Sequence, residues 1–537
     1  MKIIKNHRNK GDILINNNIS DTIFIDIYEI VNDELYILAN TFKDIEDDVE
    51  AYVNGNLIEI NELKFPQRKK YSNFSFETRI SLSKDIFHLE FKSKKFNKTY
   101  NLDFSRPCNF SKIVGYSKTK HYLSVLNDDN TITIKPKTTF EWIKKEIKAQ
   151  FRMLKNRDPG YKVGIPFRIA YMLGYPFLKN KKIWFFMDLP TIADDNGMHL
   201  FKYYMENDLK KDVKKYFILS SDSKDYNEMK KVGKVISYKS LKHRYLGMFA
   251  ENIITSHPDN SIIYPFWGTY PHFAGLLKSN TIFLQHGVTK DDITYWLNKF
   301  SMNLTLFVTC SPKEYESIFQ YPYNYDEDIV QLLGFPRFDN LKNEKNEKRI
   351  LIMPSWRRYL TNETKENISK TEFFKRFNSL INNERLIDAA KEYGYEIIFR
   401  PHPNVYEFID LFDENDYVKI DYEQGKYQDL FNKGSILITD YSSVAFDFAY
   451  LYKPVVYYHY SDDYHFTLDS FYDYETMGFG EIEKDEEELV NTIIEYIKND
   501  CEIKEEYSNR IKEFFLYTDK NNCKRVSEAI NKLPLKD

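Results

Sequence analysis

Apolar positions along this chain follow three different periods, and each predicts a different kind of element. From residue 22 to about 135 they alternate with polar ones. Residues 22–28 read Thr-Ile-Phe-Ile-Asp-Ile-Tyr, and 74–80 read Phe-Ser-Phe-Glu-Thr-Arg-Ile. A period of two is the mark of strands with one face buried. Between Val53 and Leu57 an Asn54-Gly55 pair supplies the residues that tolerate positive φ in a tight hairpin. The alternation continues at 88–92 and 131–134. Short strands with turn signals between them predict an accessory, β-sandwich-like domain over residues 1–135.

At Phe140 the period changes to that of a helix. Phe140, Ile143, Ile147, Phe151 and Leu154 recur on one stripe, with Lys144, Lys145, Lys148, Arg152 and Lys155 between them. Across 140–182 eleven Lys/Arg stand against three Asp/Glu, and Trp142, Tyr161, Phe167, Tyr171 and Tyr175 fall among them. Residues 136–180 therefore read as a basic amphipathic linker. One account places it on an anionic membrane surface. The other packs its apolar stripe on a neighbouring domain and leaves the lysines in solvent.

From Lys182 the apolar positions come in short unbroken runs of two to four, as buried parallel strands do. Such runs lie at 183–186, 215–219, 234–237, 252–255, 281–284 and 306–309, each followed by helical or loop sequence. A polar stretch at 342–348 reads as a linker. The runs resume at 349–353, 395–399, 436–438 and 455–458. The prediction is α/β: two Rossmann-type lobes in series, 181–345 and 346–537, preceded by the small all-β domain. No internal repeat stands out.

Composition narrows this picture. With 537 residues and 42% hydrophobic positions, the chain has material for several cores. A net charge of -4 gives no electrostatic case for nucleic acid. Cys108, Cys310, Cys501 and Cys523 are scattered without metal-site spacing, so reduced thiols and no zinc site are expected. The first 17 residues lack the apolar core of a signal peptide, and no window holds the roughly 20 apolar residues of a membrane span. These observations predict a cytoplasmic protein, peripheral on the membrane's inner face if the basic segment binds there. A homo-oligomer stays open.

Four loops carry candidate chemistry, and each follows a predicted strand. They are Gln285-His286-Gly287, Pro354-Ser355-Trp356-Arg357, Arg400-Pro401-His402-Pro403 and Thr439-Asp440-Tyr441-Ser442-Ser443. Ligands of open α/β sheets bind at strand carboxyl ends. Two imidazoles, several guanidiniums, hydroxyls and a helix N-terminus suit phosphate chemistry. Individually each loop also has a structural reading: a turn histidine, a Pro-locked loop, a salt-bridged Arg400. Together they favour a site. The carboxylates do not cluster as in a two-metal centre, so no metal and no cofactor are expected.

The ordered set resembles the CDP-glycerol glycerophosphotransferase family of teichoic acid polymerases and primases. It comprises these four loops, Gly334-Phe335-Pro336-Arg337-Phe338-Asp339, and Val444-Ala445-Phe446-Asp447 after Ser443. The likeness covers roughly 180–530, including Asp195-Asn196 ahead of a helix and a closing helical segment at 514–530. The chain departs from the family where Val288-Thr289 follows His286-Gly287, and where Gly197 follows Asn196. The resemblance implies a GT-B fold and attachment at a membrane surface. It implies a CDP-glycerol or CDP-ribitol donor, and as acceptor the terminal hydroxyl of a lipid-linked chain. His286 and His402 then become catalytic. Gly287, Ser355, Arg357, Arg400, Thr439, Asp440, Ser442, Ser443 and Asp447 become donor-binding, and Asp195 and Asn196 acceptor-binding. A GT-B glycosyltransferase using a nucleotide sugar is the alternative enzyme. A lipid-surface scaffold is the non-enzymatic one.

Overall fold

A computed structural model describes residues 3–5, 12–14, 22–41, 49–64, 74–344, 347–360, 363–421, 426–460 and 469–534. The start of the chain is mostly outside this set, as is part of the 342–348 linker.

Strands from Thr22 to Pro136 form two sheets, one of five strands and one of seven. Their alternating apolar positions meet in one core: Ile23, Ile25, Leu35, Ile37 and Phe76 from the first, Ala51, Leu89, Phe91, Ile132 and Ile134 from the second. The 53–56 hairpin turns where the sequence placed it, with Asn54 at φ 51° and Gly55 at φ 79°.

Helices α1 (Thr139–Asn156) and α2 (Tyr161–Leu178) follow. Thr138 starts α1 by accepting a hydrogen bond from the Glu141 amide, and its Oγ1 lies 3.4 Å from the Glu141 carboxylate. The buried face of α1 is not its apolar stripe. Trp142, Glu146, Ala149 and Met153 point inward, while Phe140, Ile143, Ile147, Phe151 and Leu154 are exposed. On α2, Ile169, Leu173 and Phe177 are exposed as well. Phe140, Phe151, Leu173 and Phe177 are each more than two-thirds exposed. The packed-stripe account of α1 therefore does not hold. Arg152 leaves the basic face, donating two hydrogen bonds to the Ile113 carbonyl. Trp142, Tyr171 and Tyr175 surround the buried Lys118 amine and are not surface anchors.

Two parallel sheets complete the fold. In chain order the first sheet's strands are Ile183–Met187, Lys214–Leu219, Val235–Ser237, Asn252–Thr255, Asn280–Phe283, Leu306–Thr309 and Val330–Leu332, arranged 3-2-1-4-5-6-7. The second sheet's strands are Arg349–Ile352, Glu396–Phe399, Val418–Ile420, Ile436–Thr439, Val455–Tyr458 and Gly480–Glu483, arranged 3-2-1-4-5-6. Each order reverses between its first and fourth strands, and the crevice at such a switch point is where these sheets hold ligands. The short edge strands at 330–332, 418–420 and 480–483 escaped the sequence reading, because three or four residues give too little periodicity.

One apolar cluster runs from Trp184 and Phe186 through Phe335 and Phe338 to Leu437, Phe446 and Phe514. The two sheets thus share a core. The final helix, Asn522–Ile530, crosses back to the first sheet. Asp339 accepts hydrogen bonds from the amides of Asn522 and Cys523 at its N-terminal end, where free donors and the helix dipole favour a carboxylate.

Candidate active site

The first sheet's loops are built around two carboxylates. Asp188, fully buried at the end of the 183–187 strand, accepts hydrogen bonds from the amides of Asp195, Gly197 and Met198 and from the Ser256 hydroxyl. It thereby fills the N-terminal end of helix α3 (Asn196–Glu206). Gly197 is required here: a Cβ would lie 2.5 Å from the Met187 carbonyl oxygen, and proline would remove the donated amide. Glu314, buried in the helix Pro312–Gln320, accepts from the Thr289 and Cys310 amides and lies 3.4 Å from the Gln285 side-chain amide. Gln285 adopts φ +68°, a strained conformation for a residue with a side chain. The loop carrying His286 is thus held in one shape from beneath.

His286 is exposed on one side. Its Nδ1 lies 3.2 Å from the Ser256 carbonyl, and Nε2 has no hydrogen-bond partner among the described residues. Its ring stacks on His257, centroids 4.6 Å apart and planes within 20°, and Trp296 meets it edge-on. Desolvation, and then the Arg337 charge, lowers the His286 pKa to about 4. Desolvation and the neighbouring His286 lower that of His257 to about 3. Both rings are therefore neutral near pH 7, the form able to accept a proton. His257 Nε2 lies 3.9 Å from Asp195 Oδ2.

Asp195 and Asn196 are spent inside the protein. Asp195 Oδ1 pairs with Arg337 at 2.8 Å. Asn196, fully buried, donates to the Gln285 carbonyl and accepts from the Arg337 amide. The other two guanidinium nitrogens of Arg337 form a fork on Asp447, at 2.6 and 2.9 Å. Both Asp447 oxygens are therefore engaged by protein.

The second sheet supplies the facing loops. Ser442 and Ser443 precede the short helix Val444–Ala449. The expected serine cap is weak: Ser443 makes no capping bond, and Ser442 Oγ is 3.4 Å from the Val444 amide. Ser443 faces the first sheet instead. A Cβ on Gly287 would lie 3.1 Å from Ser443 Oγ, so the two motifs lie against each other, and a side chain at 287 would press the Ser443 hydroxyl aside by a few tenths of an ångström.

Thr439 is buried, donating to the Met353 carbonyl, and Asp440 accepts from the Ser355 and Tyr441 amides. Arg357 pairs with Asp440 at 2.9 Å and donates to Ser355 Oγ. Arg400 pairs with Asp421 and lies 4.3 Å from the centroid of the Tyr427 ring, which realises its salt-bridged reading. His402 is exposed; its Nδ1 accepts from the Asn404 amide and its ring faces Trp356. His459 stacks on Tyr441 at 4.0 Å.

The structure thus joins His286, Gly287, Asp195, Asn196, Asp447 and Ser443 in one contact network. Ser355, Arg357, Thr439 and Asp440 form a second, with His402 and Arg400 on the adjoining loop. Sequence reasoning passed over His257, although it follows the predicted 252–255 strand just as His286 follows 281–284. It quoted Arg337 within the 334–339 motif but gave it no role, because that role depends on groups more than a hundred residues away in either direction.

Two sheets of Rossmann order whose ligand-side loops touch define an α/β protein of the doubly wound class. The chain belongs to the CDP-glycerol:poly(glycerophosphate) glycerophosphotransferase family, whose model matches residues 168–532. It is 40% identical over 485 residues to the minor teichoic acid biosynthesis protein GgaB of Bacillus subtilis, covering 87% of this chain and 53% of that protein. A teichoic acid glycerol-phosphate transferase of Staphylococcus aureus is 31% identical over 205 residues, 34% of this chain and 49% of that one. The chain spans about half the length of these curated relatives. The wall teichoic acid polymerase TagF superposes with a TM-score of 0.53 at 17% identity, covering 74% of this chain and 98% of that one. At that identity the likeness is one of fold.

Proposed function

We propose that the protein transfers a polyol phosphate, glycerol phosphate or ribitol phosphate, from a CDP-polyol to the terminal hydroxyl of a lipid-linked chain in teichoic acid or capsule polymer synthesis. The observation that carries this reading is the meeting of the His286–Gly287 loop with Ser443. It sets a neutral imidazole beside hydroxyl and amide donors, the pairing an in-line phosphoryl transfer needs. The acceptor oxygen attacks the β-phosphorus as His286 takes its proton, and the bond to the CMP oxygen breaks. His402, Ser442 and Ser443 hold the diphosphate. Arg357 and Arg400, already paired with carboxylates, fix the loops around it. The chain contributes no cofactor in this scheme.

The reading assigns a GT-B arrangement to the two sheets: an acceptor-side lobe at 181–345, a donor-side lobe at 346–537 and an accessory β domain at 1–135. The exposed apolar stripes of α1 and α2, with Lys144, Lys148, Lys155 and Lys179 also exposed, support contact with an anionic membrane surface. Among the described residues no helix is long and apolar enough to cross a membrane. Incubation with CDP-glycerol, CDP-ribitol, UDP-sugars and GDP-sugars tests the reaction. Release of CMP with chain extension is expected from one of the CDP-polyols. Release of UDP or GDP instead would overturn the assignment.

A further inference from the structure

Arg337 sits where the two parallel sheets meet, only 12% exposed, and every part of it is engaged. Its guanidinium holds Asp195 at the start of α3 and both oxygens of Asp447 on the Val444–Ala449 helix. Its amide donates to Asn196, and its carbonyl accepts from Gln428. Asn196 in turn holds the Gln285 carbonyl, one residue before His286. Gly287 then abuts Ser443, one turn ahead of Asp447 on the same element. The contacts close on themselves: Asp447, Arg337, Asn196, Gln285, Gly287, Ser443.

We propose that Arg337 is a positioning residue for the transfer, fixing the His286 loop against the Ser442–Ser443 turn through Asp195, Asn196 and Asp447. The proposal rests on His286 acting as the base. A ring of contacts this short leaves the imidazole and the diphosphate-binding turn little freedom to separate. Three directed bonds from a planar fork do this, which a lysine's single ammonium cannot reproduce.

The same placement gives Arg337 an electrostatic effect. Its charge is the second cause, after desolvation, holding the His286 pKa down. Among the described residues, the other groups around His286 are these. His257 stacks on it, and Asp195 lies behind His257. Asp188 binds Ser256, and Glu314 lies beneath Gln285; burial raises the pKa of both, Glu314 to about 7. Ser443, from the second sheet, carries no charge.

The test compares Arg337→Lys, Arg337→Gln and Asp195→Asn with His286→Ala in the full chain. Turnover and donor dissociation constant are measured with CDP-glycerol and CDP-ribitol, and melting temperature is recorded for each variant. Arg337→Lys and Asp195→Asn should lower kcat about ten- to a hundredfold. Donor affinity should stay within about threefold of wild type. In Arg337→Gln the lost charge raises the pKa of the base, so the acid limb of kcat/KM moves to higher pH. In Arg337→Lys the limb stays in place. Wild-type kcat in folded Arg337→Lys and Asp195→Asn overturns the inference, as does a loss confined to donor affinity. Should Arg337→Gln fail to fold, the two milder variants decide. Full activity in His286→Ala would sink the base assignment instead. An inactive His286→Ala beside a fully active Arg337→Lys removes only the positioning role.

Discussion

Two buried arginines organise this molecule, and their surroundings are opposite. Arg168, on α2, is fully buried. It pairs with Glu146 on α1 and donates to the Tyr116 hydroxyl and to the carbonyls of His272 and Ala274. Its partners lie on the strand Tyr116–Lys118, on α1 and in the loop before the Asn280–Phe283 strand, which it ties together. Arg337 makes a similar fork on a carboxylate, but three imidazoles, those of His199, His257 and His286, stand within reach of its field, and His286 is open to solvent. A buried guanidinium and its carboxylate are stabilised by the same physics in both places. What distinguishes scaffold from site is whether the charge also acts on something that a ligand can reach.

The first way to break this comparison is Glu146→Gln. It leaves Arg168 charged and without its counter-ion, which should cost about 3–5 kcal/mol of stability. Urea titration followed by circular dichroism measures it, and any surviving folded protein should keep the wild-type pH profile. A shifted profile would make Arg168 part of the site after all.

His286→Ala and His402→Ala should each lower turnover by about two decades or more while the melting temperature holds. Normal turnover in a folded variant would remove that histidine from the chemistry.

A pH profile sharpens the contrast further. An imidazole with its pKa lowered to about 4 is deprotonated, and so competent as a base, at any pH well above that value. The acid limb of kcat/KM should therefore fall well below pH 6.5, where an ordinary histidine titrates. Half-maximal kcat/KM near pH 6.5 would show that desolvation and Arg337 do not govern the base.

Ser443→Ala removes one hydroxyl from the turn facing Gly287. The loss of about 0.5–1.5 kcal/mol corresponds to a donor dissociation constant raised about two- to tenfold. An unchanged calorimetric titration would place the diphosphate elsewhere.

The smallest effect on catalysis should come from above the Arg168 node. Phe140→Gln, Phe151→Gln and Phe177→Gln together touch only exposed positions. They should release the protein from anionic vesicles in co-sedimentation, with stability and activity on a short soluble acceptor unchanged. Equal, salt-independent partitioning of variant and wild type would remove the membrane assignment.

The sequence by itself determined the elements that depend on local repetition. Alternation at 22–28 and 74–80 specified half-buried strands, and unbroken apolar runs at 183–186 and 436–438 specified buried parallel ones. The order of motifs after those runs placed His286, His402 and Ser443 at strand carboxyl ends, because a strand followed by punctuation has only one place to put it. It could not say which face of α1 turns inward. Amphipathic period alone left open whether Phe140 and Phe151 pack inward or face a membrane, whereas the Glu146–Arg168 pair and Trp142 take the inner face, since a charge pair this deep must be satisfied wherever its partners lie. Nor could it show that Asp447 is held by Arg337, or that His257 lies under His286. Arg337 and Asp447 meet because one sheet packs against the other, and His257 and His286 because the strands before them pair side by side in the first sheet.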